Sequence, residues 1–180
     1  MPEPEPECGV GGAYAQWSDW LTEYAVGRES VPLDSLPAVS IEQIGSVAAA
    51  RLCQRCGEAM NLRLGCWSES FARDLERARS AQDLQVALRS ARRRLDPLRA
   101  LSSTELLFEE LRMELGGCLE QALKEMQQDL ERHAHAAGAE REVMLRVVRE
   151  QPLDRALTIA APDESGALPS SQQTRQILIG

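Results

Sequence analysis

The stretch SSTELLFEELRMELGGCLEQALKEMQQDLERHAHAA, Ser102 to Ala137, decides the fold class. Along it Phe108, Leu111, Leu115, Leu119, Ala122, Met126, Leu130 and His133 advance by steps of three or four, the spacing that places side chains on one face of a helix. Ser102 followed by Glu105 has the form of a capping box and sets the expected start. At 1.5 Å per residue the stretch would run on the order of 54 Å, longer than a compact domain of this size needs. The spacing therefore predicts an elongated antiparallel helical hairpin or bundle with disordered termini, all-α throughout. Gly116-Gly117 weakens the helix by roughly 1 kcal/mol per glycine relative to alanine, so a bend or a close helix crossing is expected there.

A second arm lies upstream. Ser40 and Gln43 form another capping-box pattern, after which Ile41, Ile44, Val47, Ala48, Leu52, Cys56, Ala59 and Met60 recur at helical spacing to about Leu64. Gly65 is a place to end or bend that helix. Trp67, Phe71, Leu75 and Ala78 then keep one face, and Ser80 with Asp83 caps a further helix carrying Leu84, Ala87, Leu88, Ala91 and Leu95. That helix should stop by Asp96, because a proline disfavours α geometry at the residue before it and Pro97 follows. Two arms, 40–95 and 102–137, are expected to pack antiparallel.

Outside the arms the signals weaken. Residues 1–12 alternate Pro and Glu and then add glycines, which predicts a disordered acidic arm. Residues 13–39 read as a short helix, with Trp17, Trp20, Leu21 and Tyr24 on one face, stopped by Gly27 and followed by a linker through Pro32 and Pro37. The helical domain spans 40–151; Gly138 breaks the long helix and Glu140 to Glu150 forms a short one, stopped by Pro152. Residues 152–180 read as a mostly disordered tail in which Ile177-Leu178-Ile179 is an apolar exception suited to a terminal anchor.

Composition agrees with helices. Hydrophobic residues make up 43% of the chain but aromatics only 4%, so the apolar surface is mostly Leu, Ala and Val. Formal charge is −8, with 28 acidic residues against 20 basic ones, which argues against nonspecific binding to nucleic acid. No apolar run is long enough to span a bilayer as a helix. The acidic, proline-punctuated start is the opposite of a secretory signal, and five cysteines leave one unpaired, so a reducing cytoplasmic location is expected.

Candidate chemistry is sparse. Cys53 and Cys56, three apart, can face one ion, with Cys66 as a third ligand and Cys118, His133 or His135 as a fourth; this is the zinc alternative. Both thiols also lie on or beside the apolar stripe, where free cysteine behaves as a small hydrophobe, and the expectation is no metal and no cofactor. His133 and His135, two apart, point in different directions on a helix and make no compact acid/base site. Phosphate-loop, dinucleotide, zinc-protease and serine-hydrolase motifs do not occur, so the chain is read as no enzyme. Arg92, Arg93 and Arg94, with Arg89 and Arg99, are expected to pair with Glu109, Glu110 and Glu114 across a hairpin turning near Pro97.

The motif Ser80-Ala-Gln-Asp83-Leu84, a short break leading into an amphipathic helix amid long Ala-, Leu- and Gln-rich helices from Ile41 to Leu130, resembles the phasins, which coat bacterial polyhydroxyalkanoate granules. The resemblance implies an apolar granule surface as a partner and carries over no functional residue. From the residues themselves the expectation is a non-catalytic helical interaction protein. It would coat such a surface, self-associate, or regulate transcription or secretion by holding a protein partner. Trp17, Trp20, Phe108, Leu111, Leu115, Leu119, Met126 and Leu130 are its candidate contact residues.

Overall fold

The computed structural model describes residues 10–154; the expected acidic arm up to residue 9 and the tail from residue 155, including Ile177-Leu178-Ile179, lie outside them. Every regular element among the described residues is helical. Helix α1 spans Val10–Ala25, a single 3₁₀ turn covers Leu33–Ser35, and α2 is the short Ile41–Ile44. Three long helices come next, α3 Ser46–Arg77, α4 Ala81–Ser103 and α5 Glu109–His135, and after the 3₁₀ turn Gly138–Glu140 comes α6, Arg141–Glu150. None of these helices is long and apolar enough to cross a membrane.

Local chemistry explains most of the boundaries. Ser40 accepts from the Gln43 amide and Gln43 reaches back to the Ser40 amide, so the box caps α2 as expected. Gly45 then takes φ 81°, a left-handed value that L side chains rarely adopt, and this divides α2 from α3 after a single turn. Ser80 and Asp83 close the same reciprocal pair at the start of α4. Asp83 receives the Arg79 and Ser80 amides at 3.0 Å each, which holds its carboxyl below the usual carboxylate range. Gly27, at φ 78°, ends the first helical stretch where the sequence places the stop. That helix begins three residues before Ala13, so Val10, Gly11 and Gly12 belong to it rather than to the arm.

Three expectations are corrected. Helix α4 does not stop at Asp96 but continues through Pro97 to Ser103. A proline inside a helix costs about 3 kcal/mol, yet Leu98 and Leu101 beyond it are at most 1% exposed. Burying two leucines contributes roughly 1.5–3 kcal/mol each, so packing outweighs the break. The Tyr24 hydroxyl also donates to the Pro97 carbonyl at 3.3 Å. The Ser102–Glu105 motif consequently caps nothing: Ser102 and Ser103 both donate back to the Arg99 carbonyl, Thr104 Oγ1 accepts from the Leu106 amide, and α5 begins only at Glu109. Gly65 neither ends nor divides α3, which is continuous over 32 residues.

The bundle therefore has three long members rather than two arms. Short links after α3 and α4 make sequential neighbours antiparallel, so α3 and α5 run the same way. His133 of α5 meets the Ala78 carbonyl at the far end of α3 (3.1 Å), and Cys53 near the start of α3 feels the charges of Glu114 and Glu110 at the start of α5. Helix α1 lies on the first half of α3, held by Arg55, which donates to the Ser18 carbonyl and Thr22 hydroxyl, and by Arg63, which donates to the Tyr24 carbonyl and covers the Tyr24 ring at 4.7 Å. The returning segment wraps α1: Trp17 and Trp20 donate to the carbonyls of Pro37 and Val31. Trp67 and Phe71 of α3 stack at 5.8 Å in the centre, and the Trp67 indole donates to the Ala91 carbonyl of α4.

Gly116 and Gly117 produce no close crossing: a Cβ at either would meet nothing within 4 Å, and α5 runs through both. Each then costs backbone entropy with no packing gain. Gly116→Ala and Gly117→Ala are expected to raise stability by about 0.5–1 kcal/mol each, measured by urea denaturation; a loss would mean a neighbour occupies that space.

Candidate functional site

The candidate contact residues are, with one exception, inside. Trp17, Leu111, Leu115 and Leu130 are fully buried, Trp20, Leu119 and Met126 nearly so, and Phe108 is half-buried against the same core. These residues pack within the bundle, and Leu119 among them also lines the cleft described below. Large apolar side chains that do face outward, among them Val47, Leu62, Val86 and Met113, are spread singly over α3, α4 and α5. Such scattered exposure is ordinary for a folded surface.

The zinc candidates do not converge. Cys56 is buried in the core, Cys53 is half-buried, and Cys66 is exposed on the same helix ten residues later, about 15 Å along its axis. Among the described residues no three His, Cys, Asp or Glu side chains gather where an ion could sit. Burial pushes the Cys56 thiol up to about 12, with the neighbouring Cys53 adding to the effect, and burial also raises Cys53. Both are protonated at neutral pH, the unreactive form. Iodoacetamide footprinting at pH 8 is therefore expected to alkylate Cys66 readily and Cys56 only after denaturation; early modification of Cys56 would show that the core opens there. Because the raised Cys56 value keeps its proton in the folded state, the associated stability is full below the unfolded value near 8.5 and is lost as pH rises towards 12.

The arginine run does not face the acidic start of α5 in the expected way. Arg94 pairs with Asp74 of α3 at 2.6 Å and also donates to Ser70. Arg92, largely buried, donates to the Pro152 carbonyl at 2.8 Å, and Arg99 donates to the Leu153 carbonyl at 3.3 Å. From α5, Gln127 accepts the Leu153 amide at 3.1 Å while the Leu153 side chain is fully buried. The residues just after α6 are thus gripped by side chains of both α4 and α5, through their backbone and one apolar anchor.

Beyond that grip the surface opens into a cleft of about 690 Å³. It is lined by Arg99 of α4, by Lys124, Gln127 and Gln128 of α5 with the largely buried Leu119 and Leu123 behind them, and by Pro152 and Asp154. Its origin is a mismatch of lengths. Helix α6 has 10 residues, about 15 Å, and packs against the later part of α5, which has 27 residues and runs about 40 Å. The earlier part of the α4–α5 seam has no helix over it among the described residues.

Of the cleft's lining, sequence reasoning names Leu119 as a contact residue and Arg99 only as part of a basic patch; Leu123, Lys124, Pro152 and Asp154 are absent from its candidates. The one available signal is the shortness of the segment between Gly138 and Pro152 beside so long a partner helix. Comparison with known protein families, characterised proteins and solved structures gives no match.

Proposed function

We propose that this chain is a non-catalytic helical protein-interaction module whose α4–α5 cleft receives an apolar peptide segment. The observation that carries the reading is the grip on Pro152 and Leu153. There Arg92, Arg99 and Gln127 address main-chain carbonyls and an amide while a leucine side chain is buried, which is how grooves bind peptides: backbone hydrogen bonds for affinity and a pocketed side chain for specificity. The cleft prolongs the same seam, and its polar lining side chains, among them Arg99, Gln127 and Gln128, can serve a peptide backbone in the same manner. A protonated, buried Cys56 and a His133 engaged with the Ala78 carbonyl fit a structural role for these two residues. Coating an apolar granule, the function that the phasin resemblance implies, would call for a continuous apolar helix face turned outward, and the stripe best suited to it is internal.

Selection from a displayed random-peptide library against the full chain tests the reading. Peptides with one or two large aliphatic anchors are expected to enrich, and Gln128→Trp, which fills the cleft from an exposed lining position, should weaken them at least tenfold. Enrichment of peptides indifferent to that substitution would overturn it.

A further inference from the structure

We infer that the peptide taken up by the cleft carries an acidic side chain and that Arg112 is the group that reads it; the inference rests on the peptide-binding reading above and names its partner's chemistry. The other arginines provide the contrast. Among the described residues five besides Arg112 are buried or half-buried, and each hydrogen-bonds within the fold. Arg55 donates to Thr22 and the Ser18 carbonyl, Arg63 to the Tyr24 carbonyl, Arg92 and Arg99 to the Pro152 and Leu153 carbonyls, and Arg94 to Asp74. The half-buried Arg112 side chain bonds to nothing among the described residues. Its Nε is shut off from solvent without an acceptor, while its two terminal nitrogens keep contact with solvent. A guanidinium so placed has lost part of its hydration without gaining a partner. A carboxylate arriving end-on at the terminal nitrogens therefore meets a cation already partly desolvated, the setting in which a charge-assisted pair is strongest.

Helix α5 itself withholds that partner. Four residues to either side, where an acidic residue pairs well with an arginine, stand Phe108 and Gly116. Glu109, three residues before, is exposed and forms no ion pair with it. Arg112 precedes Leu119 by seven residues, two helical turns, so it stands on the same face about 10 Å nearer the start of α5. Leu119 and Glu120 mark the end of the cleft away from Pro152. Between them and Arg112 the way is open, because a Cβ added at Gly116 would meet nothing within 4 Å. An extended peptide advances about 3.3 Å per residue, so its acidic side chain would follow the part seated beside Glu120 by about three or four residues. Within the cleft Arg99 and Lys124 are balanced by Glu120 and Asp154, so the preference for a carboxylate falls to Arg112.

Binding of library-selected peptides to the full chain, followed by fluorescence anisotropy, tests the inference. The selected peptides are expected to share an Asp or Glu at a fixed spacing from their aliphatic anchor. Replacing it by Asn or Gln should weaken binding about tenfold, the size of one charge-assisted hydrogen bond, and this loss should vanish on Arg112→Gln. Selection of peptides without an acidic residue, or an equal loss on both chains, would overturn the inference. So would a loss caused by amidating the peptide's C-terminus in place of the side-chain change, since the carboxylate read would then be the chain end. Urea denaturation gives a readout independent of any peptide. Arg112→Gln should leave the midpoint unchanged or raise it, because no bond within the fold is removed; a lowered midpoint would show that Arg112 is held by the fold itself and would also overturn the inference. Gln128→Trp separates this failure from that of the underlying reading. Peptides that lose affinity with Gln128→Trp but ignore Arg112→Gln occupy the cleft without an acidic contact, whereas peptides indifferent to Gln128→Trp mean that the peptide-binding reading itself has failed.

Discussion

Trp67→Ala should lower the unfolding free energy by about 4 kcal/mol, among the largest effects available to a single substitution in this chain. Trp67 is almost fully buried, stacks on Phe71, and donates its indole N–H to the Ala91 carbonyl of α4. Truncation removes a large apolar surface and leaves a cavity between α3 and α4 that two stiff helices close only in part, which is why the expected cost exceeds that of transfer alone. A loss of this size would consume much of the roughly 5–15 kcal/mol that a domain usually has. Urea denaturation of Trp67→Ala followed by circular dichroism checks it. A cost below about 1 kcal/mol would place Trp67 at a loosely packed edge rather than between α3 and α4.

The second large effect distinguishes core from contact surface on α5. Leu115→Ala is expected to cost about 3 kcal/mol, whereas Met113→Ala, two residues earlier, should change stability by less than about 0.5 kcal/mol. The reason is orientation. Leu115 is fully buried against the bundle and Met113 is 71% exposed, although both are large, apolar and good helix formers. A Leu115→Ala chain that folds as firmly as the unsubstituted one but no longer binds library-selected peptides would show that the stripe is a binding surface after all.

Much of the fold was legible because the signals that specify it are local. Reciprocal caps at Ser40–Gln43 and Ser80–Asp83 need only four adjacent residues, and the steps from Leu111 to Leu130 mark one face whatever that face meets. Local signals mislead where a distant contact overrides them. Pro97 and the Ser102–Glu105 motif both argue for a turn near 97, but Leu98 and Leu101 are buried and Tyr24, far away in sequence, bonds the Pro97 carbonyl, so the helix continues and the turn moves to 104–108. The cleft was illegible for a related reason. Its lining residues Leu119 and Leu123 carry the same period as their fully buried neighbours, and only the length of α6, set against α4 and α5 in space, decides which part of that stripe is covered.

The same ambiguity attends the cysteines. A Cys-x-x-Cys spacing on a helix is compatible with shared ligation or with packing, and the choice depends on which way the turn faces. Here Cys56 points into the core and Cys66 lies outside on the same helix, so the thiols are separated by the rotation and rise of α3.

If the seam between α4 and α5, beyond the end of α6, is where this protein takes up an apolar peptide, binding must leave its mark there and nowhere else. Chemical-shift mapping of the ¹⁵N-labelled full chain during titration with a library-selected peptide reads this residue by residue. The amides that shift most are expected to cluster at Arg99, from Leu119 to Gln128, and at Leu153 and Asp154, with α1 and the first half of α3 unmoved. Perturbations concentrated instead on α1, or on the outward face of α5 around Met113, would contradict the assignment of the cleft.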